Sequence, residues 1–354
     1  MVVPSGTLPA RLPNIFPFLM SETFHETWMR RALQLARNGE TTAHPNPMVG
    51  ACIVHEGRIL GEGWHHQAGE PHAEVMAMRS VSPQDLALLP ESTIYVTLEP
   101  CAHYGRTPPC AEMLVRKGIG HAVVGCVDPF AKVAGRGIEI MEKGGIDVTV
   151  GVLREECLDL ISHFLCYNLM QRPFITLKWA ASADGFIDRH REKYEDGMPA
   201  RLSTPLSTVH VHHLRATHQA ILVGRKTFEL DHPRLNVRCY GGRNPLRCVL
   251  GGVGEEALNA GFQAYADVDS LLDSLRRDGI QSLLVEGGAA TLQTFIERDL
   301  WDEAWEEISD IRLGDGVEAP QMPAEFKPER EIHAGSTFLH WKSPVRKLHY
   351  VDFK

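Results

Sequence analysis

The chain has no apolar run near the roughly twenty residues that a membrane-crossing helix needs, so none is expected among its 354 residues. Basic residues are in deficit, with 36 Lys and Arg against 45 Asp and Glu and a net charge of −9. That balance argues against an extended nucleic-acid surface, which needs clustered cations, although a basic pocket for one phosphate is compatible with it. Internal repeats and low-complexity tracts are absent. Residues 1–20 contain four prolines and one brief apolar patch, Ile15 to Met20, without the basic start and sustained apolar core of a secretory signal. They are expected to form a disordered extension, with translation starting at Met20 and Thr23-x-x-Glu26 capping the first helix. The eight cysteines are scattered rather than set in a framework, which fits reduced thiols in the cytoplasm better than disulfides.

What is present is a zinc-site spacing. His72-Ala73-Glu74 is followed by Pro100-Cys101 and, after Gly105-Arg106-Thr107-Pro108-Pro109, by Cys110. One imidazole and two thiolates are three ligands suited to Zn2+, and a structural zinc clip would close with four. The position left for water and the acid two residues beyond His72 point to hydrolytic deamination, with Glu74 as proton shuttle.

Length suggests two domains of about 150–200 residues each. In the first, a helix is expected from His25 to Arg37 with Trp28, Ala32, Leu35 and Ala36 buried, and a hairpin turns at Glu56-Gly57. Pro71 should open a helix carrying His72 and Glu74. Thr93–Leu98 reads as a strand delivering Cys101, and a helix is expected over Cys110–Lys117. Alternation continues through strand 121–127, helix 137–143 and strand 147–150, a helix/sheet/helix unit. Residues 153–171 look helical and form the linker. A second alternating series follows, with strands at 174–178, 220–223, 247–250 and 282–286 and helices at 270–277 and 290–296. Final strands are expected near 305–311 and 348–353.

His44-Pro45-Asn46-Pro47-x-Val49-Gly50, Ala68-Gly69-Glu70-Pro71-His72-Ala73-Glu74 and the segment Thr97 to Cys110 resemble the deaminase domain of the bifunctional riboflavin-biosynthesis deaminase/reductase family. Asp128-Pro129 and Val133-Ala134-Gly135-Arg136-Gly137 extend the likeness. Eight residues separate Cys101 from Cys110, where general cytidine deaminases have two, and the long loop is the family's own pattern. The resemblance implies a cytidine-deaminase-like three-layer domain over residues 21–152. Its substrate would be a diaminopyrimidinone bearing a ribosylamino 5′-phosphate. Arg106 is a phosphate-side candidate, Asn46 would meet the pyrimidine edge, and His65 and His103 would line the pocket.

After a linker at 153–172, Phe174-Ile175-Thr176-Leu177-Lys178-x-Ala180-x-Ser182-x-Asp184-Gly185 resembles the start of the same family's reductase domain, with a dihydrofolate-reductase-like α/β fold over residues 173–354. Leu214-Arg215-Ala216, Asp231-x-Pro233-x-Leu235-x-Val237-Arg238 and Val285-Glu286-Gly287-Gly288 carry it onward. A Gly-Gly turn between strand and helix suits a phosphate at the helix start. The resemblance implies NADPH held by Gly288, Ala289, Ala290, Thr291 and Leu292, with Ala180, Arg201, Thr227 and Asp231. Arg215, Leu235, Arg238 and Glu286 would face the sugar phosphate, whose ribose would be reduced to ribityl. Departures occur at His232, at Met198–Ser203 and at Asp310–Gly314, so a C-terminal domain that only binds nucleotide stays open as the alternative. Self-association is expected from the family, with neither nucleic acid nor membrane as partner.

Overall fold

The computed structural model describes residues 17–104, 108–128, 134–252, 255–333 and 336–343. Its first half alternates α1 (Pro17–Ala36), β1 (Gly50–His55), β2 (Arg58–Trp64), α2 (Ala73–Ser80), β3 (Thr93–Leu98), α3 (Cys110–Lys117), β4 (His121–Cys126), α4 (Arg136–Lys143) and β5 (Asp147–Val150). The strands form one sheet in the order β2-β1-β3-β4-β5, antiparallel at β2-β1-β3 and parallel from β3 to β5. Because side chains alternate across a strand, Ala51 and Ile53 join the core beneath α2, α3 and α4, while Cys52 and Val54 join the one beneath α1. The hairpin closes with His55 opposite Arg58, and Glu56 and Gly57 both take positive φ (45° and 79°), as a two-residue turn on twisted strands requires.

The first helix starts at Pro17, upstream of the expected start at His25 and of the cap expected at Thr23. Proline's fixed φ and missing N–H suit that first position. Its buried stripe is Met29, Ala32, Leu33 and Ala36 with Leu35, while Trp28 is only partly buried. Pro71 lies before the second helix, with His72 as the extended N-cap residue (φ −69°, ψ 164°). That helix lies very close to β2. A Cβ on Gly63 would stand 2.4 Å from the Ala77 nitrogen and 2.7 Å from the Ala73 oxygen.

The segment between the sheets is a broken helix: α5 (Arg154–Leu160), α6 (Ser162–Leu165) and a π-turn at Cys166–Met170, ended by Gln171 at φ 57°. Then come β6 (Phe174–Ala181), β7 (Phe186–Asp188), α7 (Pro205–Thr217), β8 (Ala220–Gly224), α8 (Arg225–Asp231), β9 (Leu246–Leu250), α9 (Glu255–Asn259) and β10 (Gln263–Tyr265). The series ends with α10 (Val268–Arg277), β11 (Ser282–Val285), α11 (Ala289–Glu297), β12 (Glu303–Ile308), β13 (Val317–Glu318), β14 (Glu329–His333) and β15 (Ser336–Lys342). Its main sheet runs β10-β9-β8-β11-β6-β12-β15-β14, parallel up to β12 and antiparallel at the last two joints. Leu283 and Val285 pack toward α10 and α11, and Leu284 toward α7 and α8. The strand expected at 348–353 lies outside the described residues. The edge is instead supplied by β14 and β15, which sequence pattern did not indicate. No helix among the described residues is long and apolar enough to cross a membrane.

The two halves touch. Arg172, at the junction, donates to Asp302 (Nη2 to Oδ1, 2.9 Å), and the Asp302 carboxylate also accepts from the Ile175 amide at 2.8 Å. His44 stacks on His163, and Gln281 Nε2 donates to the Pro45 carbonyl at 2.8 Å.

Candidate active sites

In the first half, α2 and α3 begin side by side and present their N-termini to one point. His72 Nδ1 lies 3.5 Å from Cys101 Sγ and 3.4 Å from Cys110 Sγ, and all three ligand atoms fall within 4.8 Å of one another. The Cys110 amide donates to Cys101 Sγ at 3.3 Å. The hydrogen bond with Cys110 Sγ, the His72 ring and that amide together hold the Cys101 thiol well below the usual thiol range, against its burial. The donor set, one borderline nitrogen and two soft sulfurs at a helix-rich positive end, fits zinc. Glu74 sits in the first turn of α2, 3% exposed, and burial pushes its carboxyl up to about 7 against the pull of His72.

Around this cluster, Asn46 Nδ2 donates to His65 Nε2 at 2.9 Å, so His65 Nδ1 carries the proton it gives to the Pro71 carbonyl at 3.2 Å. Burial holds His65 below its ordinary pKa, which agrees with that neutral tautomer. The ring then stands edge-on to His72, centroids 5.6 Å apart. His103 is exposed on the loop between the cysteines. Arg106 lies outside the described residues.

Glu99 is a residue that sequence reasoning passed over. Its buried carboxylate accepts from the amides of Gly137 (2.8 Å), Gly135 (3.0 Å) and Asp128 (3.1 Å), and this clamps the turn that delivers Cys101. A charged residue directly after the apolar strand Thr93–Leu98 was the available signal.

In the second half, the candidate site lies at the carboxyl ends of β6, β8 and β11, where open α/β sheets bind ligands. Glu286, just beyond β11, takes both prongs of Arg215 from α7, with Nε–Oε1 at 2.8 Å and Nη2–Oε2 at 2.5 Å. Burial acts to raise the Glu286 pKa, but the Arg215 charge and hydrogen bonds hold it below the usual carboxylate value. Arg215 Nη1 also reaches the Asn236 carbonyl at 3.4 Å, and the Arg238 amide donates to His212 Nδ1 at 3.0 Å, so Arg215, Arg238 and Glu286 are brought together. Leu235 is buried beside them at φ 49°. Lys178 on β6, quoted above only as part of a motif, is 8% exposed. Burial lowers its pKa even with Glu286 and Glu307 nearby. A lysine inside an apolar strand is the signal that deserved more weight.

The glycine turn behaves as a cradle. Gly288 caps α11 at φ 62°, and a Cβ there would lie 3.0 Å from Thr227 Oγ1; one on Gly224 would lie 2.3 Å from Thr291 Oγ1. Bare backbone flanked by two hydroxyls fits a phosphate of a dinucleotide. Ala289 and Ala290 form the exposed-side start of α11, and Ala180 is partly buried on β6. Leu292 is 1% exposed in the core and its amide bonds the Gly288 carbonyl at 3.1 Å, so it supports the turn rather than lining the cleft. Asp231 is engaged by Arg191, Nη2 to Oδ1 at 2.6 Å; burial raises its pKa in spite of that partner. Arg191 also binds Asp188 and the Gly197 and Leu230 carbonyls, a role that nothing in its polar surroundings announced. Arg201 is exposed.

Comparison with known proteins bears on both sites. Residues 22–126 match the cytidine and deoxycytidylate deaminase zinc-binding region, and residues 173–327 match the RibD C-terminal domain. The riboflavin biosynthesis protein RibD of Aquifex aeolicus is 34% identical over 330 residues, covering 84% of this chain and 90% of that protein. RibD of Bacillus amyloliquefaciens is 33% identical, over 84% of this chain and 87% of the relative. A solved diaminohydroxyphosphoribosylaminopyrimidine deaminase/5-amino-6-(5-phosphoribosylamino)uracil reductase from Thermotoga maritima superposes with a TM-score of 0.81 at 32% identity, covering 91% of this chain and 99% of that one. With both halves matched by family models and relatives at 33–34% identity spanning 84% of its length, the chain belongs to the RibD family of bifunctional riboflavin-biosynthesis deaminase/reductases.

Proposed function

We propose that this protein deaminates 2,5-diamino-6-ribosylamino-4(3H)-pyrimidinone 5′-phosphate at its first site and reduces the ribose to ribityl at its second, giving 5-amino-6-(5-phosphoribitylamino)uracil. The observation that carries the reading is the His72, Cys101 and Cys110 cluster with a buried acid beside it, in one chain with the Gly288 cradle and the Arg215–Glu286 pair.

His72, Cys101 and Cys110 would hold a zinc ion, and the chemistry such an ion would supply there is a water nucleophile at neutral pH. Glu74, poised near neutrality by burial, would take a proton from the attacking water and pass it to the pyrimidine ring nitrogen, then move a second proton from the adduct's hydroxyl to the amine, which leaves as ammonia. Asn46 and His65 would orient the pyrimidine edge, His103 would line the pocket, and Arg106 would pair with the substrate's phosphate. In the second site the chemistry bound NADPH would supply is a hydride for the C1′ imine carbon of the opened ribose, with a proton taken up at the imine nitrogen. Gly288 through Thr291, with Thr227 and Ala180, hold the cofactor, while Arg215, Arg238, Leu235 and Glu286 bind the sugar phosphate. Asp231 acts through the loop it anchors with Arg191. Among the described residues no disulfide joins any of the eight cysteines, in keeping with a cytoplasmic enzyme, and self-association follows the family habit.

The test assays both half-reactions separately on the wild type, Glu74→Gln and Asp231→Asn. Glu74→Gln should stop ammonia release while NADPH oxidation on the deaminated pyrimidine continues. Ammonia release with no NADPH oxidation by the wild type would leave a deaminase carrying a nucleotide-binding domain.

A further inference from the structure

The reductase half reaches into the deaminase half at one buried point. Gln281 precedes β11 and is 3% exposed. Its backbone is pinned from both sides: its amide donates to Gln219 Oε1 at 2.7 Å, and its carbonyl accepts from the Phe174 amide at 2.8 Å. The side chain is thereby aimed out of the amino end of the sheet, away from Glu286 and Gly288 at the carboxyl end. There Nε2 donates to the carbonyl of Pro45 at 2.8 Å. His44, one residue earlier, approaches the same side chain.

Pro45 belongs to the 40–47 loop, which carries Asn46. Within the first half the loop is held by local bonds, among them the Asn46 amide to Ala43 O (3.0 Å), the Ala43 amide to Gly39 O (2.8 Å), and Thr42 Oγ1 to His66 O (2.5 Å). Two further contacts reach the loop from beyond the first sheet: His44 stacks on His163 of the connecting helix, and His213 Nε2 lies 2.9 Å from Glu40 Oε2, a pair with both side chains about a third exposed and screened by solvent. The buried Gln281 bond is the stronger restraint, since nothing replaces it when broken.

The geometry points to Gln281 as a positioning residue for deamination. Its amide fixes the Pro45 carbonyl and with it the Asn46 side chain against His65, so the pyrimidine-binding wall of the first site is completed by the second domain. This rests on Asn46 contacting substrate, as proposed above. A positioning group that never touches the reacting atoms should act on substrate affinity more than on turnover.

The experiment uses the full-length zinc-loaded enzyme carrying Gln281→Leu, which keeps bulk and removes the donor, Gln281→Glu, which keeps shape and replaces the donor with a carboxylate, Asn46→Ala, and the double variant Asn46→Ala/Gln281→Leu. Expected are a rise of about fivefold in the deaminase KM for both Gln281 variants, little change in kcat, unchanged zinc content and unchanged reductase kinetics on the deaminated pyrimidine. In the Asn46→Ala background, Gln281→Leu should add nothing, because its effect travels through Asn46. An unaltered KM in both Gln281 variants, an additive double variant, or a parallel loss of both activities overturns the proposal. If Asn46→Ala is impaired while Gln281→Leu is normal, only the positioning role fails. If Asn46→Ala itself is normal, the substrate role of Asn46 falls with it.

Discussion

In the first half the candidate ligands are side chains that converge from two helix starts and a strand end, with His72 before α2, Cys110 opening α3 and Cys101 following β3. In the second half the equivalent cradle is mostly backbone, bared by Gly224 and Gly288, and the one strong side-chain feature is the Arg215–Glu286 pair. A site made of side chains concentrates its chemistry in a few atoms, so removing one ends the reaction without disturbing the sheet. A site made of backbone is sensitive to added bulk, and its charge pair belongs to the fold as much as to the ligand.

The sharpest way to separate the two is Cys101→Ser. A hydroxyl is a poor zinc ligand beside a thiolate, so zinc content by metal analysis and ammonia release should both fall to background while NADPH oxidation on the deaminated substrate persists. Retained zinc with retained deamination would break the contrast. Next in size is Glu286→Gln. It leaves the Arg215 guanidinium, with only 12% of its side chain exposed, without its counter-charge, and breaking one side of a buried pair costs about 3–5 kcal/mol. Denaturant unfolding followed by a reductase-side probe should shift accordingly, and zinc-dependent deamination measured below that transition should not. Gly288→Val comes third. At φ 62° with Thr227 Oγ1 3.0 Å from the new Cβ, a β-branched residue is strained by about 1–3 kcal/mol. Relieving that strain by moving the turn predicts an NADPH KM raised roughly 5- to 150-fold at an unchanged deaminase rate; an unaffected KM would mean the turn is not the cofactor cradle.

The same contrast explains what the sequence made legible. The first site is written in short contiguous words, His72-Ala73-Glu74 and Pro100-Cys101, and its hairpin is announced by Glu56-Gly57, because ligand spacing and turn chemistry are local. Helix α7 was missed, since its buried positions include Ser207 and His212 and the apolar period is diluted. The edge strand Glu329–His333 is nearly all polar and carries no alternation to read. Leu292 was assigned to the cofactor because the turn and its following residues form one motif, yet helical geometry sends that side chain into the core. Arg191 and Gln281 owe their roles to partners far along the chain, Asp231 and Pro45, and long-range pairing leaves no local trace.

The smallest expected effect tests the seam between the halves. His218 follows α7, is buried, and packs its ring against His163 of the connecting helix, centroids 5.3 Å apart. Nδ1 lies 2.7 Å from the Leu214 carbonyl and must donate to it, so Nε2 accepts from Thr176 Oγ1 at 2.8 Å. That arrangement needs the neutral ring, and burial lowers its pKa to about 4 from an ordinary 6.5. The unfolded chain therefore takes up this proton first as the solution is acidified. The stability tied to neutral His218 is complete above about pH 6.5 and declines as pH falls toward about 4, at about 1.4 kcal/mol per pH unit. His218→Gln has no such titration, so its unfolding free energy from denaturant titration should fall less between pH 6.5 and 5 than that of the wild type, by a difference of about 2 kcal/mol. The buried carboxylate Glu286 also contributes to the acid response, but equally in both proteins, so the difference isolates the imidazole. Parallel pH curves would show that the ring can be charged in place and that the seam is wetter than its hydrogen bonds imply.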